Sequence, residues 1–442
     1  MSKTVTLKID NISLDDGWDV IVAGGGPAGC TSAIAAARAG AKVLLLERTG
    51  ALGGMGTMGL VPAWCPFSDG IRLVYQGLAE KVLRETMAGM PHLKPEQVNW
   101  TPIDPERLKR VYDDLVLGSG AKIRFETTVC GVAKDDAGNI TALYAASKRG
   151  IEAFAAKVFV DCTGDADLAA WAGAPWEKGG ADGALQAATH CFMLANVNQY
   201  SYNYEQTSGT LHSQMIKLAE SGKYPLITDG HGCNSLIGPG VVGFNSGHIW
   251  NVDNTDPDNV TDAYVEGRRK AAQFRDGLAE FFPKSFAGAF VAQTAPLMGV
   301  RETRRIVGDY VLTLDDYMDR ASFPDEICRN NYYVDVHRSK EEKASGRQYD
   351  YEPRRYGKGE SHGVPYRCLI PKTLRNVLVA GRCISTDRPV QGSTRVMPVC
   401  LAMGEAAGTA AAMAAAAEGD VRADVNADAL RATLRENGAY LP

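Results

Sequence analysis

Apolar and polar positions change period along this chain, and each change marks an element. Trp18-Asp19-Val20-Ile21-Val22-Ala23 is almost wholly apolar, as a parallel strand covered on both faces requires. The small-residue stretch Ala28–Ala39 predicts a helix, and Lys42–Leu46 predicts a second buried strand. Asp104–Leu117 carries apolar residues at helical spacing and opens on Asp-Pro-Glu, a helix start. Lys122–Val132 and Ile140–Tyr144 read as strands, with Asp135–Asn139 turning between them. Val158–Asp161 and Asn376–Ala380 predict two more short strands. Residues 63–103 break this order. Pro62, Pro66, Pro91, Pro95 and Pro102 punctuate them as an excursion of two short helices.

The first strand, helix and second strand form a βαβ unit with chemistry at its turns. Gly24, Gly26 and Gly29 make a G-x-G-x-x-G turn, and Glu47 follows at the end of the second strand. Gly24 permits the turn, Gly26 lets backbone approach a pyrophosphate, and Gly29 lets helix and strand pack closely. The helix N-terminus favours the anion, and Glu47 would accept from an adenosine ribose. A second glycine cluster, Gly53-Gly54-Met55-Gly56-Thr57, comes just after the acid. It suits a cofactor that continues past its adenosine half, although a flexible loop would share that composition. Near the C-terminus, Gly381-Arg382 ends a strand, Arg395 follows, and Gly404–Ala414 is a helix of Ala and Gly. Gly404 and Gly408 each cost about 1 kcal/mol in a helix, so close backbone approach is the better reason for them than propensity.

Composition narrows the class. The 442 residues are 45% apolar and 22% charged, which is globular and long enough for two domains. A net charge of −5 gives no basic patch, and no nucleic-acid motif is present. The sequence shows no run apolar enough to suggest a membrane span, and Met1–Asp16 lacks the pattern of a secretory signal, so a cytoplasmic protein is expected. None of the ten cysteines forms a C-x-x-C pair, which argues against a redox disulfide and a structural zinc site. Cys65, just past the second glycine cluster, is the thiol to watch.

Together these segments resemble the FAD-dependent oxidoreductase family with a glutathione-reductase-type FAD domain, related to the fumarate reductase and succinate dehydrogenase flavoproteins. The matching blocks are Val22–Gly29, Glu47–Thr57, Val160–Asp167, Arg301–Tyr310 and Val364–Gly408. The resemblance implies an α/β fold: a Rossmann-like FAD-binding domain of residues 17–184 and 363–442, and an inserted α+β substrate domain of residues 185–362. It places Thr163, Gly164 and Asp165 against the cofactor and Gly381 and Arg382 near its pyrophosphate and ribityl chain. Gly404, Ala406 and Ala407 would lie over the pyrimidine side of the ring. Pro27, Ala28, Arg48, Met55, Val129 and Arg395 complete the expected contacts. Covalent members carry a His shortly before the glycine pair. Leu46–Leu52 has none, so FAD is expected to be noncovalent.

Catalytic residues must then come from the second domain. A guanidinium suits a carboxylate or polarises a carbonyl, which selects Arg301 and Arg304 of the R-E-T-R-R block. An Arg–Glu network tying the domains together would use the same residues. An imidazole suits proton transfer at neutral pH, which selects His362, at the re-entry to the first domain, and His337, sharing a strand face with Asp335. His248 is a weaker candidate. The histidines are not spaced as a metal motif, and no metal is expected. The reaction expected is hydride transfer from a small polar or anionic metabolite to flavin N5, with a separate electron acceptor and a possible homo-oligomer. A flavin protein with structural or sensory FAD stays open as the alternative. An NAD dehydrogenase would leave the second glycine cluster and the C-terminal block without a purpose.

Overall fold

The computed structural model describes residues 11–180, 183–344 and 354–442. The expected elements form where their sequence is locally decisive. Strand Leu14–Ala23 runs parallel to Val43–Leu46 and to Gly150–Asp161, with helix Pro27–Arg38 as the crossover. Val43–Leu46 pairs in turn with Lys122–Arg124, and Val377–Val379 joins Gly150–Asp161, all parallel. Ile140–Ser147 and Thr128–Lys134 extend this seven-stranded sheet antiparallel. The predicted strand Lys122–Val132 is therefore two strands with different partners. Asp104 caps helix Pro105–Gly118 by accepting from the Glu106 and Arg107 N–H groups. Residues 63–103 hold one helix of the two expected, Leu78–Met87.

The small-residue helix extends over Met397–Ala415 and packs along Pro27–Arg38. A Cβ on Gly404 would lie 2.2 Å from the Ala28 carbonyl oxygen, and one on Gly408 would lie 2.1 Å from that of Ser32. Ser32 Oγ donates to the Gly404 carbonyl at 2.8 Å across the same seam. The glycines thus set a helix–helix distance and do not face a ring system. By length and composition this helix could cross a membrane, contrary to the sequence expectation, but 83% of its most apolar 18-residue window is buried inside the protein. Its apolarity serves the core.

The second domain is built on an antiparallel sheet in the order Phe290–Thr294, Phe192–Ala195, Val241–Ser246, Gly232–Gly238. Helix Pro257–Phe281 covers it, and Phe192, Phe244, Phe274 and Phe286 fill the space between. The chain returns to the first domain earlier than position 363. Leu312, Tyr317, Ile327, Tyr332 and Val334 belong to the first domain's core. Residues 1–10, which carry much of the expectation of no secretory signal, lie outside the described residues.

Candidate active site

Four of the five parallel strands end at one cavity of about 1270 Å³. Gly24, Glu47, Thr163 and Ala380 follow the carboxyl ends of four of them and line its wall. Open α/β sheets bind ligands at this edge. The volume exceeds the roughly 300–1,000 Å³ of an ordinary small-molecule pocket, leaving room for a dinucleotide and a substrate.

The three turn glycines differ in what surrounds them. At Gly24 φ is +96°, and a Cβ there would meet the Cys162 carbonyl oxygen at 2.5 Å. A Cβ on Gly29 would sit 1.8 Å from the Gly24 carbonyl oxygen. A Cβ on Gly26 meets nothing within 4 Å, because Gly26 faces the cavity. No side chain caps the helix that starts there, so its first N–H groups are available to an anion. Glu47 Oε2 accepts from the Gly25 N–H at 2.7 Å and Oε1 from the Thr49 N–H at 2.8 Å. It also lines the cavity, and a carboxylate retains lone pairs for a further donor. Arg48, Gly54, Met55, Val129, Pro27 and Ala28 line the same end.

In the middle of the cavity, Arg382 donates to Asp165 at 2.7 Å and lies against Gly164. Asp165 also accepts from Asn254 at 2.5 Å and from Thr303. These bonds, with the charge of Arg382, hold its carboxyl below the usual range against the penalty of burial. Arg382 Nε is buried without a partner, as is Arg395 Nε. The N-terminal end of helix Met397–Ala415, also uncapped by a side chain, opens here through Val396, Met397 and Cys400. A cradle open at Gly26, two helix N-termini and unspent guanidinium donors fit a dinucleotide with a pyrophosphate. Gly53, Thr57, Gly29, Gly404, Ala406 and Ala407 do not line the cavity. Thr57 Oγ1 donates to the Leu52 carbonyl at 2.6 Å, so these residues shape the walls from behind.

The far end is cationic and rich in imidazole. Arg301 is 7% exposed and donates to the Ala187 carbonyl at 2.6 Å and to Thr189 Oγ1 at 3.0 Å. Burial and the nearby Arg395 bring its pKa down to about 10. Arg395 pairs with Asp335 at 3.3 Å. His337 lines the same end, and burial with the charge of Arg301 lowers its pKa to about 3, so it is neutral at pH 7. His337 and Asp335 meet at 3.3 Å as expected, but on irregular chain and not on a strand.

Two expectations need correction. Arg304 reaches the cavity wall but is spent on Asp167 at 2.7 Å and on the Asp165 carbonyl at 3.0 Å. Arg305 and Arg388 close on Glu302, so much of the R-E-T-R-R block is the inter-element network it resembled. His362 does not line the cavity. It is fully buried in strand His362–Pro365, with Nδ1 2.5 Å from the Tyr356 hydroxyl and beside the Tyr317 ring. Burial drives its pKa to about 3, and its place behind the cavity wall makes it a core histidine.

Sequence reasoning missed His231 and Asp229. His231 lines the cavity, stacks on His248 with ring centroids 4.2 Å apart, and lies 5.0 Å from His337. The one available signal was a repeated turn, Asp229-Gly230-His231 and Ser246-Gly247-His248.

Solved structures to which the chain is similar include a geranylgeranyl bacteriochlorophyll reductase-like protein of Thermoplasma acidophilum, at 13% identity over 96% of this chain and 83% of that one, with a TM-score of 0.46. The flavin-dependent brominase Bmp2 matches at 12% identity over 95% and 84%, with a TM-score of 0.48. The p-nitrophenol 4-monooxygenase of Pseudomonas putida matches at 12% over 96% and 82%, with a TM-score of 0.41. No curated protein matches the chain by sequence. The model of the FAD dependent oxidoreductase family matches residues 19–434, nearly the whole chain, and the protein belongs to that family of FAD enzymes.

Proposed function

We propose that this enzyme oxidises a small polar or anionic metabolite at the arginine and histidine end of the cavity, with FAD held noncovalently along the glycine turn. FAD, when bound, supplies the two-electron chemistry, taking a hydride at N5. The observation that carries the reading is Arg301. It is a buried guanidinium on the cavity wall, and among the described residues it has no carboxylate within 4.0 Å. Its hydrogen bonds go to neutral oxygens, which orient it without cancelling its charge. Asp335 acts on it only from beyond ion-pair distance, and a substrate carboxylate would supply a direct counter-charge in a geometry a guanidinium fork matches.

The remaining residues follow from this anchor. Arg395, held by Asp335, adds a second positive centre on the same wall. His337 lines this wall with Nε2 on Asp335 and Nδ1 on His248, and the His337–His248 pair is the relay that would take up the proton released from C–OH or C–NH. Arg382 and Asp165 hold the cofactor side of the cavity rigid and take no part in proton transfer. The enzyme is cytoplasmic on this reading, and its electron acceptor is a separate molecule.

The test needs no substrate. Small carboxylates added to FAD-loaded protein perturb the bound flavin's absorbance with saturable dependence. Arg301→Met weakens that binding about 10–100-fold, the cost of losing one or two charge-assisted hydrogen bonds. Equal binding by wild type and Arg301→Met contradicts the assignment.

A further inference from the structure

Asp229, His248, His337 and Asp335 form an unbroken chain of contacts at the cavity's imidazole end. His248 Nδ1 lies 2.9 Å from Asp229 Oδ2, and His337 Nε2 lies 3.3 Å from Asp335 Oδ2. An ionised carboxylate only accepts, so each ring donates its N–H outward to its acid. That assignment leaves His248 Nε2 and His337 Nδ1 as lone pairs, and these two atoms face each other at 2.7 Å. Two bare lone pairs repel at that distance. A cation must sit between them, either a proton or a metal ion. His231 adds a third imidazole, and one ligand atom from each of the three rings lies within 4.8 Å of the others. His231 Nδ1 is buried without a partner.

We propose that His231, His248 and His337 bind a first-row divalent ion of the zinc class, with Asp229 and Asp335 as orienting partners. Imidazole nitrogen suits zinc, iron(II), nickel and copper and does not suit magnesium or calcium. A carboxylate on the far nitrogen of a ligating His fixes the tautomer and raises the ligand's basicity, and here two of three ligands have one. Zinc–nitrogen bonds of about 2.0–2.1 Å in tetrahedral geometry put ligand nitrogens about 3.3 Å apart. The pair at 2.7 Å therefore opens by a few tenths of an ångström, and His231 turns its ring from the stack on His248. Arg301 and Arg395 oppose a further cation, and the two carboxylates offset them. His231 and His337 line the cavity, so the ion's open position faces the substrate end. A site of three protein ligands and one open position is the pattern of a working metal and not a structural one. The ion would then polarise the substrate's oxygen or nitrogen and lower its pKa, and the proton would leave to solvent water in the cavity, since the His337 lone pair would be held by the ion.

The site stands apart from the anion reading, since metal uptake needs no substrate. The experiment uses FAD-loaded protein treated with a chelator and then titrated with Zn²⁺ by equilibrium dialysis and with Co²⁺ by visible difference spectroscopy. One equivalent binds per chain, and Co²⁺ shows the intense bands of low-symmetry nitrogen coordination. His248→Gln and His337→Gln abolish the equivalent while FAD content stays at the wild-type level. Asp229→Asn weakens it about 10–100-fold. The proposal is overturned if wild type takes up no stoichiometric ion, or if uptake survives both His→Gln changes. Should those variants fail to fold, weak octahedral Co²⁺ bands in wild type overturn it alone, and the cation between the rings is then a proton.

Discussion

Gly26 and Gly29 lie three residues apart in one turn, and opposite effects are expected when each is changed. At Gly26 the backbone is extended, with φ −69° and ψ −176°, a conformation open to any residue. A Cβ there meets nothing within 4 Å. Gly26→Val therefore leaves the apoprotein's melting temperature within about 2 °C of wild type, since surface-type changes stay near ±0.5 kcal/mol. The same side chain fills the space an anion needs to reach the helix N-terminus. Loss of two charge-assisted hydrogen bonds at about 1.5 kcal/mol each removes about 3 kcal/mol, or about 100-fold in FAD affinity. At Gly29 a Cβ collides with the Gly24 carbonyl oxygen at 1.8 Å, and neither backbone can yield cheaply. Gly29→Ala costs the apoprotein about 3 kcal/mol or more, at the upper end of overpacking. Thermal unfolding of the two apoproteins and titration with FAD give the comparison. If Gly26→Val binds FAD as wild type does, the cavity at the glycine turn is not the pyrophosphate site. If Gly29→Ala melts with wild type, the packing argument fails.

Three further outcomes follow, two from buried titratable groups and one from an ion pair. Glu405, in the middle of the small-residue helix, accepts from the Leu78 N–H at 2.9 Å, and burial raises its pKa from 4.5 to about 7. The folded state then binds more protons than the unfolded between those values, so this group's contribution is full below pH 4.5 and is lost as pH rises through 7. Glu405→Gln keeps an acceptor, removes that loss and stabilises the protein at pH 8 by about 1–3 kcal/mol in denaturant titrations. His362 has the opposite sign. Its pKa falls from 6.5 to about 3, so the unfolded state binds the proton and stability drops as pH falls below 6.5. His362→Gln flattens the acid limb of the stability profile and leaves the rate of flavin reduction unchanged; a large loss of rate would restore the catalytic role. Arg304→Ala breaks the pairing with Asp167 and lowers melting temperature more than it changes substrate affinity, a split that steady-state kinetics and calorimetry resolve.

Local physics explains what could be read from the chain. The βαβ unit, the Asp104 cap and the glycine turn each depend on neighbours a few residues away, so their spacing alone identified them. The small-residue helix was also legible as an element, but its partner was not. Gly404 looks the same in sequence whether it faces a ring or the Ala28 carbonyl. The arginine and histidine end of the cavity was least legible because its parts come from distant segments. His248 meets His337 across 89 positions, and Arg301 meets Ala187 across 114. His362 was misplaced because position in the chain stood in for position in space. It opens the return strand, yet that strand pairs with Glu326–Asn330 away from the cavity.

The most direct measurement is anaerobic bleaching of the bound flavin. FAD-loaded protein is mixed with a panel of small hydroxy and amino acids, alongside their uncharged alcohol and amine counterparts, and the loss of oxidised-flavin absorbance is followed in time. The account predicts that an anionic member bleaches the flavin with saturable dependence, and that its uncharged counterpart does not. In Arg301→Met the concentration needed rises about 10–100-fold while the limiting rate falls less. Bleaching by the uncharged compound at the same concentrations, or by the anion equally well in Arg301→Met, contradicts the account.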